Sequence, residues 1–271
     1  MAKYQFGFIG CGNMGGALVR AISSKIPADH ILIADRITDN AEQLHLKCGV
    51  CVAADAVQVA QEAQYIFLGV KPQGMRTLLT ELSDVLKKRR DRYILISMAA
   101  GITLNSLQEM LDIPKTAIVR ILPNTPAAVG EGMTLYCCNS GVTEVEENAI
   151  VGALTAAGKV DRIEESLIDA GCAISGCGPA FVYLFMEALA DGGVAAGLPR
   201  QKALMYAAQT VMGAAQILMQ SGKHPGELKD AVCSPGGSTI QGVIALEDGA
   251  FRSDVVHAVL AAYEKTRDLG K

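Results

Sequence analysis

The stretch "YQFGFIGCGNMGGAL", residues 4–18, constrains the fold more than any other part of the chain. An apolar run of strand length ends in Gly10-Cys11-Gly12-Asn13-Met14-Gly15. A helical pattern follows, with Met14, Leu18, Ala21 and Ile22 at helical spacing. A G-x-G-x-x-G is a weak signal alone, but between a strand and a helix it has a physical reading. Gly10 permits a tight turn, Gly12 lets the backbone approach a pyrophosphate, and Gly15 lets the helix pack closely on the sheet. The helix N-terminus then faces the negative charge. Such a start predicts a Rossmann-like parallel sheet with a dinucleotide at its carboxyl edge.

The rest of the first half agrees. "HILIADR" (30–36), "QYIFLGVK" (64–71), "YILISMAAG" (93–101) and "TAIVRILPN" (116–124) read as strands, nearly all apolar, as strands buried on both faces are. Helical segments separate them, which predicts a doubly wound sheet. "GMTLYCCN" (132–139) and "KVDRIEE" (159–165) predict two edge strands, with a helix from about Glu144 between them. Several strand ends carry candidates for a coenzyme. Asp35 stands about twenty residues beyond the glycines, where an acidic residue bonds the ribose 2′-hydroxyl of NAD. Arg36 beside it, with Thr38 close by, suits the 2′-phosphate of NADP; these residues leave both open. Lys71 is placed to meet a ribose, a phosphate or a substrate, or simply to cap its strand. Small residues in "SMAAGIT" (97–103) and "RILPNTPAAVGEG" (120–132) leave room for a flat nicotinamide.

After about Ser166 no strand pattern follows. "GPAFVYLFMEALADGGVAAGL" (178–198) predicts a helix apolar almost all round, and such a helix must be buried on every side. A domain of the remaining length hardly encloses it alone, so a second subunit is expected to cover part of it. Pro199 opens another helix to about Ser221, and three shorter helices follow. The expected architecture is α/β: a dinucleotide-binding Rossmann domain over 1–165, then an all-α substrate-binding and dimerisation domain over 166–271. Late in that second domain, "SPGGST" (234–239) turns directly into a helix, and paired glycines there let backbone N–H groups approach an anion.

Composition narrows the function classes. Half of the 271 residues are hydrophobic and 19% are charged, which argues against disorder. The net charge is −4, and the one basic run, "KKRR" at 87–90, reads as a solvated loop or helix end; a nucleic-acid partner is not expected. The chain runs straight into a strand without a secretory signal, so a cytoplasmic protein with free thiols at its eight cysteines is expected. The uncharged run 170–186 holds three glycines and a proline, and is read as too interrupted for a membrane span. His45, Cys48 and Cys51 have metal-like spacing, but no further cluster completes a ligand set, and no metal is expected.

Together these segments resemble the pyrroline-5-carboxylate reductase family, from Phe6 to about Leu269. The resemblance rests on "GFIGCGNMGGAL", "LGVKPQ", "SMAAGIT", "RILPNTPAAVGEG", "SGCGPAFVYLFMEALADGGVAAGLPR" and "HPGELKDAVCSPGGSTIQGVIALEDGAFR", the last being the most specific. It implies hydride transfer from NADPH, with NADH as the alternative, to C5 of Δ1-pyrroline-5-carboxylate, giving L-proline in the last step of proline biosynthesis. It also implies a homodimer with interlocked C-terminal helices, often built into a ring of five dimers. Carried over by position, Ile9, Gly10, Cys11, Gly12, Asn13, Met14, Gly15, Asp35, Arg36, Val70, Lys71, Pro72, Ala99, Ala100 and Gly101 line the coenzyme, with Asn124 near the nicotinamide. Glu165, Ala231, Ser234, Gly236, Gly237, Ser238 and Thr239 fall on the substrate side. The Thr239 hydroxyl is the group that resembles the partner of the substrate nitrogen, and is the catalytic candidate. Departures from the family pattern are Cys177 for the usual Ser, Phe181 for Tyr, and Ala56 where many members carry Asn beside the coenzyme.

Chemistry fits these positions. A cyclic imine accepts hydride more readily when its nitrogen is protonated. The Gly236–Thr239 backbone suits the carboxylate and Thr239 the nitrogen, so catalysis is largely positioning. His30, His45, His224 and His257 fall outside the family's site motifs, and the iminium is expected to draw its proton from solution. Two rival functions share the Rossmann start. A two-domain 3-hydroxy-acid dehydrogenase needs a basic Lys on the junction helix, and "SGCGPAFVYLFMEA" has none. A non-catalytic NADP-binding sensor keeps the glycines without needing "SPGGST".

Overall fold

The computed structural model describes residues 2–268. Eight strands form one sheet: β1 (Tyr4–Ile9), β2 (Ile31–Ala34), β3 (Cys51–Val52), β4 (Ala63–Leu68), β5 (Ile94–Ser97), β6 (Ala117–Leu122), β7 (Gly132–Cys138) and β8 (Gly158–Arg162), in the spatial order β3-β2-β1-β4-β5-β6-β7-β8. Every neighbouring pair is parallel except β6 and β7. The order reverses at β1, which lies between β2 and β4; in sheets of this kind ligands sit beyond the carboxyl ends at that point.

The apolar runs are continuous because both faces are covered. Helices α1 (Asn13–Ser23), α2 (Thr38–Cys48), α3 (Ala56–Glu62), α4 (Pro72–Lys88), α5 (Leu104–Leu111) and α6 (Glu144–Leu154) connect the strands. Phe6, Phe8, Ile31, Ile33, Phe67 and Ile96 face one layer with Leu18, Val19 and Ile22 of α1 and Ile150 of α6. Leu32, Ile66, Leu68 and Leu95 face the other with Val59 of α3, Leu79 and Leu82 of α4 and Leu107 of α5. Across the β1–β4 ladder Phe6 stacks on Tyr65 at 5.2 Å and Phe8 on Phe67 at 4.4 Å. Offset stacking of this kind adds to plain burial.

By backbone contacts the chain forms two compact units. One runs to Cys177 and includes residues 262–268; the other is Gly178–Ala261. The first holds the sheet and α7 (Glu165–Ser175). The second holds α8 (Gly178–Ala195), α9 (Arg200–Ser221), α10 (Pro225–Val232) and α11 (Ser238–Asp248), and α12 (Phe251–Asp268) starts in it. Helices α8 and α9 meet over Ala190, Ala203 and Ala207, and Phe185 of α8 contacts Phe251 of α12 at 5.7 Å. Outside those contacts the second unit exposes Tyr183, Leu184, Met205, Ile217 and Met219.

Several expectations need correction. The strands are shorter than their apolar runs, because each run continues past the ladder into a turn at the carboxyl edge. β7 is not an edge: β8 lies outside it, and the opposite edge is the two-residue β3, too short to carry a periodic signal. The "KKRR" run ends α4 but is not all solvated. Arg89 is nearly buried, donating to the Ala60 and Ala63 carbonyls at 2.6 and 2.7 Å and to Asp91. Residues 165–195 are helical but for the Gly176–Cys177 turn, and by length and composition this stretch could cross a membrane. The interruption falls at Gly176, the C-cap of α7, while Pro179 sits in the first turn of α8, where no N–H is needed. His45, from the motif with metal-like spacing, places Nδ1 2.8 Å from the Val50 carbonyl oxygen.

Candidate active site

The first unit gathers its candidate residues at one edge. β2, β1, β4, β5 and β6 are successive neighbours in the sheet, and each ends in a segment singled out by the sequence. Ile9 closes β1 and is buried. The Gly10 N–H donates to Ala34 O at 2.8 Å and the Gly69 N–H to Ile9 O at 2.7 Å, which ties the turn to both neighbouring strands. Gly10 has φ 97°, and a Cβ there would lie 2.6 Å from Gly69 O. A Cβ on Gly15 would collide with Gly10 O. These two positions therefore need glycine for different reasons, one conformational and one of close approach.

Gly12 is the N-cap of α1. It supplies no side-chain cap, the first turn holds no acidic residue, and a Cβ on Gly12 would meet open space. Asn13 and Met14 follow in the first turn. The uncapped N–H groups of this turn point to an anion. A cavity of about 260 Å³ opens beside it, lined by Cys11, Gly12 and Asn13 with Asn40, Gln43 and Lys47 of α2. The backbone thus fits a dinucleotide pyrophosphate. Asp35, just past β2, accepts the Cys11 N–H at 2.6 Å and the Ile37 N–H at 2.8 Å. Burial, and then the Asp35 charge, push the Cys11 thiol up to about 12.

At β4 the chain passes through Gly69 and Val70 to Lys71, the N-cap of α4, and Pro72, its first residue. Lys71 is exposed and makes no ion pair among the described residues. Ala99, Ala100 and Gly101 follow β5, with the Ala99 N–H donating to Ser97 Oγ at 3.3 Å. Asn124 follows β6 and is 8% exposed. Its Oδ1 accepts the Met133 N–H at 2.8 Å and its Nδ2 donates to Ser175 O at 2.9 Å, so its amide joins three segments of the fold.

Glu165 opens α7. Its carboxylate accepts the Leu104 N–H at 2.7 Å and lies 3.6 Å from Arg120, beside a cavity of about 540 Å³. Arg120 itself is 1% exposed and bonds Asp169 at 2.5 Å. Arg120 and Asp169 were not singled out from the sequence. The signal was present: an Arg inside the apolar run "TAIVRILPN" must find an anion when both faces are buried.

The remaining candidates belong to the second unit. Ala231 lies on the last turn of α10, three residues before Ser234. The Gly237 N–H donates to Ser234 O at 3.0 Å, closing the turn through Gly236 at φ 67°. Gly237 is the N-cap of α11, again with no side-chain cap and no acidic residue in the first turn. Ser238 and Thr239 are its first two residues, exposed, and the Thr239 hydroxyl makes no hydrogen bond among the described residues. The chain therefore carries two glycine turns that each leave a helix N-terminus open to an anion.

Comparison with known proteins divides the chain in the same way. Residues 5–101 match a family profile described as NADP oxidoreductase, coenzyme F420-dependent, and residues 165–269 match pyrroline-5-carboxylate reductase dimerisation. Pyrroline-5-carboxylate reductase of Arabidopsis thaliana is 44% identical over 99% of this chain and 96% of its own length. That of Escherichia coli K12 is 39% identical over 98% of both. Among solved structures, the Coxiella burnetii enzyme superposes with a TM-score of 0.90 at 32% identity, covering 99% of both chains. Plasmodium falciparum pyrroline carboxylate reductase with NADP bound gives 0.87 at 32% identity over the whole of both. A sheet with an open glycine turn at its switch point, followed by a helical region that matches a dimerisation domain, places this chain in the pyrroline-5-carboxylate reductase family.

Proposed function

We propose that this protein reduces the C=N bond of Δ1-pyrroline-5-carboxylate to L-proline, the last step of proline biosynthesis, with NADPH as the preferred reductant. The observation that carries the reading is the second glycine turn. In a chain whose other half fits a dinucleotide, Ser234–Thr239 offers uncapped N–H groups and a free hydroxyl side by side. That pairing suits a substrate with a carboxylate next to an imine nitrogen.

The residues then divide the work. Gly10 to Gly15 hold the pyrophosphate on the α1 N-terminus. Asp35 and Arg36 stand at the adenosine ribose, Val70 to Pro72 and Ala99 to Gly101 line the coenzyme, and Asn124 shapes the nicotinamide end. NADPH, when bound, supplies the hydride. The N–H groups of Gly236, Ser238 and Thr239 hold the carboxylate, with Ser234 and Ala231 shaping that side and Glu165 bordering it. The Thr239 hydroxyl meets the substrate nitrogen and fixes the ring, so that positioning supplies much of the rate. The proton of the iminium comes from solution. The working parts are a dinucleotide-binding domain over 1–165 and a helical domain over 166–271. The chain works as a homodimer, assembled further as five dimers, in the cytoplasm, with neither membrane nor nucleic acid as a partner.

The test is coenzyme oxidation with pyrroline-5-carboxylate. Thr239→Ala is expected to lower kcat/KM roughly a hundredfold while the NADPH Kd stays near that of the wild type. Unchanged kcat/KM removes the role of Thr239. Absence of turnover in folded, coenzyme-binding wild-type protein leaves a coenzyme sensor instead.

A further inference from the structure

Both carboxylate oxygens of Asp35 accept from the protein's own backbone. Its Oδ2 accepts the Cys11 N–H, 24 residues away in the glycine turn, at 2.6 Å. Its Oδ1 accepts the Ile37 N–H at 2.8 Å, closing the loop between β2 and α2. Both bonds are charge-assisted, so they are stronger than the usual amide pairing. Between the two anchored residues lies Arg36, exposed and without a hydrogen-bond or ion-pair partner among the described residues.

We propose that Asp35 is a positioning residue that clamps the glycine turn to the β2–α2 loop, and that Arg36, not Asp35, reads the difference between NADPH and NADH. The inference deepens the proposed coenzyme use and rests on it. NADPH and NADH share the pyrophosphate that the glycine turn receives. A looser turn costs both the same ordering entropy on binding. They differ only at the ribose 2′-position, and the free group at the end of β2 is the Arg36 guanidinium. A guanidinium matches phosphate geometry through paired N–H donors.

The experiment measures the Kd of each coenzyme by its fluorescence, without imine present, in wild type, Asp35→Ala, Asp35→Asn and Arg36→Ala. Amide hydrogen exchange at Cys11 and Ile37 is followed in the coenzyme-free protein. Asp35→Ala is expected to raise both Kd values about tenfold, with their ratio changed by less than about threefold, and to speed exchange at both amides. Asp35→Asn keeps one acceptor oxygen, so the same pattern is expected at smaller size; it also serves if the alanine variant folds poorly. Arg36→Ala is expected to raise the NADPH Kd about tenfold and leave that of NADH within about twofold. Loss of NADH affinity alone in the Asp35 variants makes Asp35 a ribose ligand and overturns the inference, as do unchanged exchange at both amides or an unchanged coenzyme ratio in Arg36→Ala. Wild-type protein that binds neither coenzyme overturns the proposed coenzyme use as well.

Discussion

The two units of this chain solve burial differently. In the sheet unit, residues such as Phe8, Ile33, Phe67 and Ile96 are sealed from water by helices of the same chain on both faces. In the helical unit the one sealed cluster is three alanines, while Leu184 is 68% exposed. The apolar content is not lower there; what differs is who covers it. A parallel sheet brings its own covering helices, because each crossover has to pass over a face. Long helices in sequence pack against one another along single stripes, and a helix apolar all round keeps surface for another partner. The match to a dimerisation domain over 165–269 supports oligomerisation of this unit.

The most severe test of this contrast is Leu184→Asp. A charge on an apolar face destined for burial weakens assembly by about 2 kcal/mol or more at each copy. Light scattering after size exclusion is expected to show loss of the dimer, with coenzyme binding by the sheet unit retained. A dimer of unchanged mass would mean that this face is not the covered one.

Next in size is Arg120→Met, which probes the most deeply buried charge of the self-sufficient unit. It leaves Asp169 and Glu165 without their cation and is expected to cost about 3–5 kcal/mol in denaturant unfolding. Adding Asp169→Leu is expected to recover a large part, because a buried ion pair replaced by apolar side chains is often neutral. A single variant as stable as wild type would show that the pair is dispensable to the fold.

The smallest effect is at Glu146, whose bond to Arg92, 2.6 Å long, holds its carboxyl down to about 2. The folded value is depressed, so its contribution is present above the unfolded value near 4.5 and is lost as pH falls from there toward 2. Discounted for the half-exposed Arg92, that contribution is of the order of 2 kcal/mol. Glu146→Gln is expected to be less stable than wild type at neutral pH and to approach it near pH 2. Unfolding curves at several pH values check this, and a constant difference would place the cost elsewhere.

Much of the sheet unit was legible because its signals are local. A strand, a glycine turn and a helix start are neighbours along the chain, so the turn at Gly10–Gly15 and the strand ends at Asp35, Lys71 and Gly101 could be read in order. What was not legible involved partners far apart in sequence. Position makes the Asp35 carboxylate one candidate for the coenzyme ribose, and only the fold shows Cys11 and Ile37 donating to it. Asn124 was read as a neighbour of the nicotinamide, and only the fold shows its amide bonded to Met133 and Ser175. Arg89 looked like part of a solvated basic run because its acceptors, the carbonyls of Ala60 and Ala63, carry no sequence signal.

By itself the sequence determined the class of fold and the place of the coenzyme turn. Those follow from side-chain periodicity and from backbone freedom at particular glycines, and both are properties of neighbouring residues. Tertiary structure alone decided the strand order, the edge at β3, the burial of Arg120 and which polar groups stay free at the sheet's carboxyl edge. Each of these depends on which distant backbone groups meet, and the hydrogen-bonding demand of a buried N–H or carboxylate has no preferred sequence distance.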